Sequence, residues 1–173
     1  MKNDLSKKYI ITATIAIALA SMLMLMPTNT FAAKQTTSGV HFQGSAPTIS
    51  CSGETCTSTP FTLAGLGQGT GSAQLTVTGF FDVTCANPGQ NEDVPGQRTT
   101  ATGESQQFRF TAQNGKASIP SFQAQLDPDT VTFGPKTCPN QKWTPSVVPG
   151  SGTITGATLT VSFNNQVIYT QTA

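Results

Sequence analysis

His41 is the only histidine of the chain, so a Ser-His-Asp or Cys-His arrangement would have to be served by that one imidazole. It sits in a polar stretch ahead of the first long apolar pattern, and the four cysteines, expected to be oxidised, offer no thiolate. Carboxylates come in two sets, Glu92/Asp93 and Asp127/Asp129. Glycoside hydrolysis needs two carboxyl groups roughly 5–10 Å apart in a cleft, one of them with a pKa raised by burial. Both sets lie in Pro- and Gly-containing turns, where acids are solvated, and Asp127-Pro128-Asp129 is accounted for by turn chemistry. As hard oxygen donors Asp127 and Asp129 suit calcium, but the spaced Asp/Asn/Gly pattern of a calcium loop is missing. Gly65, Gly67, Gly69 and Gly71 alternate as in a phosphate-binding loop, yet a strand follows them and no Lys-Ser/Thr end is present. The expectation is a protein that is not an enzyme, with no catalytic residue, no metal and no cofactor.

Cys51, Cys56, Cys85 and Cys138 are an even set. Behind a secretory signal they read as two disulfides, for which three pairings exist. Ser52-Gly53-Glu54-Thr55 is a tight-turn sequence that would bring Cys51 to Cys56, leaving Cys85 for Cys138. Zinc needs closer ligand pairs than the Cys51/Cys56 spacing provides.

The signal itself is legible. Lys2, Lys7 and Lys8 precede an uncharged run from Tyr9 to Met26, then Pro27, and then Thr30-Phe31-Ala32. This is the order of a cleaved secretory signal over residues 1–32, with an uncleaved membrane anchor as the alternative. Cleavage removes Lys2, Lys7, Lys8 and Asp4, leaving six basic and seven acidic side chains, a net charge near −1. Nucleic-acid binding requires a basic footprint, so that partner class is excluded. Membrane contact is expected only through the N-terminal segment, if it is retained. Residues 33–46 read as a flexible lead, although Val40-His41-Phe42 alternates as a short strand able to join a sheet edge.

What positions everything else is the stretch Ala73–Cys85, whose odd positions are apolar or small and whose even positions are polar except Phe80. That period of two describes a strand with one face in a core. Similar alternation marks Thr48–Cys51, Thr55–Ala64, Ser105–Ala112, Phe122–Leu126, Val131–Phe133, Trp143–Val148 and the closing hairpin about Asn164-Asn165. Asn114-Gly115 is a type I′ turn signal. A two-residue loop at Asn164-Asn165 sets Val161 across from Ile168, and a three-residue loop sets it across from Tyr169. Residues 86–103, rich in Asn, Pro, Gly and Gln, read as a long loop. The fold class expected over residues 47–173 is all-β, a single immunoglobulin-like antiparallel sandwich of seven to nine strands with two disulfides.

Cys85-Ala86-Asn87-Pro88-Gly89-Gln90-Asn91, Pro95-Gly96-Gln97, Asn114-Gly115, Cys138-Pro139-Asn140 and Trp143-Thr144 together resemble a family of small secreted microbial proteins. Those carry Cys-Thr-Asn-Pro-Gly, Pro-Gly-Gln-Asn and Cys-Pro-Asn-Pro-x-Trp segments. The chain departs from that pattern at Ala86, Arg98 and Gln141. The resemblance covers roughly residues 50 to 170 and implies a secreted β domain with Cys85 bonded to Cys138. It implies no activity.

The resulting expectation is a secreted or cell-surface module with a structural or binding role. Its partner would be an extracellular protein or a glycan. Its working surface would combine residues 86–103 with Cys138–Trp143, using Asn87, Gln90, Asn91, Gln97, Asn140 and Trp143. Phe80 joins them because it breaks the alternation of its strand. The alternatives are a filament or adhesin subunit that donates Val40-His41-Phe42 as a strand, and a carbohydrate-binding module with Phe80, Trp143 and Tyr169 as its platform.

Overall fold

The computed structural model describes residues 34–35, 39–89 and 93–173; the expected signal segment, Gln90 and Asn91 lie outside them. From the N-terminus the strands are β1 (Lys34–Gln35), β2 (His41–Phe42), β3 (Ile49–Ser52), β4 (Thr55–Ser58) and β5 (Phe61–Ala64). Next come β6 (Thr70–Phe81), β7 (Val83–Ala86), β8 (Asp93–Pro95), β9 (Thr99–Glu104) and β10 (Phe108–Thr111). The chain closes with β11 (Lys116–Ile119), β12 (Gln123–Gln125), β13 (Thr144–Val147), β14 (Thr153–Phe163) and β15 (Gln166–Thr172). All pairings are antiparallel; β2 to β15 line up into seven longer strands in two sheets, and the two-residue β1 pairs with β15 at the outer edge of one of them.

The first sheet is built on β6 and β7, one line from 70 to 86 interrupted at Asp82. On one side runs β13 followed by β14, and beyond it β15; on the other run β8, β9 and β10. The interruption is stitched across: Gly96 N–H donates to Val83 O at 2.7 Å and Val148 N–H to Asp82 O at 3.0 Å. Ala73, Leu75, Val77, Gly79, Phe81, Val83 and Cys85 all face inward and are buried, as their period of two demands. Complete burial of a Leu, Val or Phe side chain stabilises by about 1.5–3 kcal/mol. Leu75, Val77, Leu159 and Val161, all fully buried, therefore form the energetic centre of this sheet.

The second sheet sets β4–β5 between β2–β3 and β11–β12. Ile119 lies opposite Phe61 and Gln123 opposite Thr57, a single register that brings Pro60 to face Pro120. Neither proline carries an N–H, so the ladder loses its bonds at that rung and the sheet splits there into two short ladders. Buried Ser58 repairs the margin: its N–H donates to Phe122 O at 2.9 Å and its Oγ accepts from Phe122 N–H at 3.0 Å.

The two sheets enclose one apolar core. In chain order the lines are arranged first–second–fifth in one sheet and seventh–sixth–third–fourth in the other. The expected all-β sandwich with disulfides Cys51–Cys56 and Cys85–Cys138 is the observed architecture.

Four local expectations differ. Residues 93–104 are not loop but β8 and β9, paired to β7 and β6. The inward positions of β9 are small, Ala101 and Gly103, so no apolar period marks it. Gly103 is small for a reason: a Cβ there would fall on the carbonyl oxygen of Gln125, 1.6 Å away. Val131–Phe133 is not a strand; it follows a 3₁₀ turn (Pro128–Thr130) capped by Asp127, whose Oδ1 accepts from Asp129 N–H at 2.9 Å. Within the expected flexible lead, Val40 is buried and His41–Phe42 pair with β5 of the same chain. Gly65 leaves room for this approach, since a Cβ would lie 1.9 Å from Gly39 O. Finally, the closing loop has two residues, Asn164 and Asn165, both at positive φ, and yet Val161 faces Tyr169. A bulge after Val161 absorbs Ile168, so Ile168 and Tyr169 both turn inward.

Tyr169 meets Phe42 edge-on at 4.9 Å and donates its hydroxyl to Gln171 Oε1 at 2.9 Å. Burial pushes its pKa up to about 12 from 10.0. The unfolded phenol ionises first, so the native state holds more protons between these values. Stability should therefore fall as pH rises from about 10 to 12. Thermal unfolding across that window should show a shallower fall in Tyr169→Phe. Gly103→Ala should cost about 1–3 kcal/mol by overpacking against Gln125, read from denaturant unfolding.

Candidate functional site

The segment from Leu126 to Trp143 crosses between the sheets and is tied down at several points. Asp127 N–H donates to Thr102 O at 3.0 Å, and Thr130 Oγ1 accepts from Thr102 N–H at 3.0 Å. Further on, Thr137 is buried: its Oγ1 accepts from Gly134 N–H at 2.9 Å, and its carbonyl accepts from Gln97 N–H at 2.8 Å. The next residue, Cys138, is bonded to fully buried Cys85 with a Cα–Cα distance of 5.8 Å. Gly96 lies under this bridge, where a Cβ would sit 2.9 Å from Cys85 Sγ. The crossing segment is thus anchored to β7 by a covalent bond and to the chain beside β8 by a backbone bond.

Between these anchors and β13 lies a groove of about 360 Å³ lined by Phe133, Pro135, Cys138, Asn140, Trp143 and Pro145. Phe133 is 38 % exposed, one of two large exposed hydrophobic side chains among the described residues. Trp143 is half-buried. Asn140 shapes the turn that presents it: Oδ1 accepts from Lys142 N–H at 3.0 Å, and the backbone carbonyl accepts from Trp143 N–H at 3.0 Å. This is an Asx turn, the local bond for which asparagine is suited. Lys136 and Lys142, each adjacent in sequence to groove-lining residues, are exposed, and neither makes an ion pair among the described residues.

The structure brings together only part of the expected surface. Asn140 and Trp143 share the groove. Asn87 stands at the next rung, because Thr144 lies opposite Ala86. Exposed Gln97 is joined to the crossing segment through Thr137. Phe80 lies elsewhere. It is half-buried on the outward face of the first sheet with the Arg98 guanidinium 4.5 Å over its ring, and Arg98 Nε donates to Asp82 Oδ1 at 2.7 Å. Six residues separate it from Ala86, about 20 Å at 3.3 Å per residue, so Phe80 and Trp143 do not form one platform. Tyr169 is buried in the core.

Sequence reasoning missed Phe133, which it placed in a strand, and the Pro135–Pro145 walls. The signal available was an aromatic residue directly before Gly134-Pro135, where a strand cannot continue. His41 is exposed, with Nδ1 3.0 Å from Gly39 O. Among the described residues no cluster of three or more His, Cys, Asp or Glu side chains is placed to hold a metal. No family model, no curated protein and no solved structure matches the chain.

Replacing Cys85 and Cys138 together by serine should cost about 4 kcal/mol on the chain-entropy estimate for a loop of this size. Losing Cys51–Cys56 should cost about half as much. Because Trp143 is the only tryptophan, its emission should shift to the red under native conditions in the Cys85/Cys138 variant but not in the Cys51/Cys56 variant.

Proposed function

We propose that this protein is a secreted or cell-surface module with a binding role and no catalysis, and that it engages its partner through the Phe133–Trp143 groove. The observation carrying this reading is the anchored groove itself. A covalent bond and a buried threonine fix a segment that would otherwise be a long connection, and that segment keeps an aromatic ring exposed on its outer side. Ordered long connections with apolar side chains turned to solvent serve recognition more often than packing. Two disulfides are compatible with an extracellular location, and the low charge of the strand faces suits one. The resemblance to small secreted microbial proteins points the same way.

We read the sandwich as immunoglobulin-like. Its first, second and fifth lines pair in one sheet, and the seventh, sixth, third and fourth pair in the other, which supports the assignment. The fourth line, supplied by β8–β10, lies beside the third instead of extending the second sheet.

The test compares the intact protein with the Phe133→Ala/Trp143→Ala double variant and with Phe80→Ala as bait against extracellular material from the producing cells. The expected result is a partner retained by the intact protein and by Phe80→Ala and reduced at least tenfold by the groove variant. Equal recovery by all three, with unfolding midpoints unchanged, overturns the assignment of the groove.

A further inference from the structure

The groove has a chemistry that narrows its ligand. We infer, on the basis of the recognition reading above, that it takes a carboxylate-bearing polysaccharide. Phe133, Trp143, Pro135 and Pro145 supply flat apolar surfaces of the kind that stack against the C–H faces of sugar rings. Asn140 has its carbonyl oxygen committed to the turn, which leaves its amide N–H groups as donors, and exposed Gln141 adds a second amide.

Charge then selects among glycans. Residues 131–145 contain Lys136 and Lys142 and no Asp or Glu. They hold two of the six cationic side chains that follow residue 32, in a stretch whose net charge is near −1. Both lysines are exposed, and the one salt bridge among the described residues joins Arg98 to Asp82 instead. Among the described residues, Asp93 is the carboxylate on that ladder; it is two strands from Thr144 across Ala86 and is bonded to neither lysine. The result is an apolar floor whose lining alternates in sequence with two exposed cations that have no ion pair among the described residues. Its complement is a polymer whose repeating unit offers a ring face and a carboxylate. An acidic peptide brings the charge without the repeating flat face, and a neutral glycan leaves both lysines unused.

Oligogalacturonate and its fully methyl-esterified form separate these terms, since they share the ring and differ in charge. Each would be titrated into the full chain while following Trp143 emission, with calorimetry in parallel. The expected result is saturable binding of the acid, at least tenfold weaker binding of the ester, and weakening of the acid as salt rises from about 50 to 500 mM, where screening shortens the Debye length. Lys136→Gln/Lys142→Gln should weaken the acid roughly tenfold at low salt and remove most of the salt dependence, the behaviour of lost charge-assisted contacts. Equal binding of acid and ester, untouched by the lysine substitutions, overturns the carboxylate inference and leaves the groove a glycan site. Absence of binding to either form by both methods also overturns it. The cell-material experiment with the Phe133/Trp143 variant then judges the recognition reading separately.

Discussion

The bond between Cys85 and Cys138 is the constraint on which one end of the molecule depends. Cys85 closes the inward face of the longest strand line and has no solvent exposure, so its sulfur is fixed by the core before any loop is considered. Cys138 must come to it, and it brings Thr137, whose carbonyl is then placed to accept from Gln97 N–H. Gly96 accommodates the sulfur because it has no side chain to put there. The core strand, the flank of β8 and the crossing segment thus meet at one point. Both sides of the groove descend from that junction: Phe133 through Gly134 and Thr137, and Trp143 through the Asn140 turn and the pairing of β13 with β7.

The rest of the fold shows how a sandwich with little charge manages its edges and breaks. The Pro60–Pro120 rung removes two donors at once, a cheaper fault than one proline facing an unpaired partner, since no N–H is left stranded. Between β9 and β10 the register on β6 slips by one residue. Ser105 covers the slip by donating its N–H to Leu75 O at 2.8 Å and accepting from Leu75 N–H through Oγ at 2.9 Å. The edge of β5 is closed by His41–Phe42 from the lead, with Val40 and Phe42 contributing to the core. At the opposite end Glu54, inside the Cys51–Cys56 turn, accepts from Gly152 N–H at 2.8 Å and ties that turn to the start of β14. Each device uses a small residue or a short polar side chain to satisfy the backbone, as in a sheet protein with few ion pairs to spend.

Those devices also mark what could be read in advance. The core strand, the central apolar pairs and both disulfides were legible because alternation and cysteine spacing are local signals with one cause each. The edge strand 99–104 was not, because its inward residues are Ala101 and Gly103, the latter small to admit the Gln125 backbone from the other sheet, a reason that exists only in three dimensions. The closing hairpin shows the same limit. Asn164-Asn165 left a two- or three-residue loop open, and the structure combines the two-residue loop with the Val161–Tyr169 pairing through a bulge that seats both Ile168 and Tyr169 in the core. At the groove, Trp143 and Asn140 were found through their proximity to Cys138. Phe133 was not, since a Val-Thr-Phe alternation is a strand signal unless the anchoring of the following loop is known.

Phe80 and Phe133 make the point about exposed aromatics most directly. Phe80 breaks the alternation of its strand and Phe133 fits one, yet the surroundings give them opposite meanings. Phe80 lies on a regular ladder, flanked by Thr100 and Thr153 across the strands, and its outer ring face is covered by Arg98. Arg98 is itself held by Asp82 in an exposed pair that contributes little on its own. The ring is thereby finished as a surface, with a cation already on its π face. Phe133 has no strand neighbours and no ring or cation partner among the described residues, while the segment bearing it is among the most firmly anchored connections in the molecule. Phe133 is thus the ring that the fold leaves without a partner, which is the feature that the proposed recognition role uses.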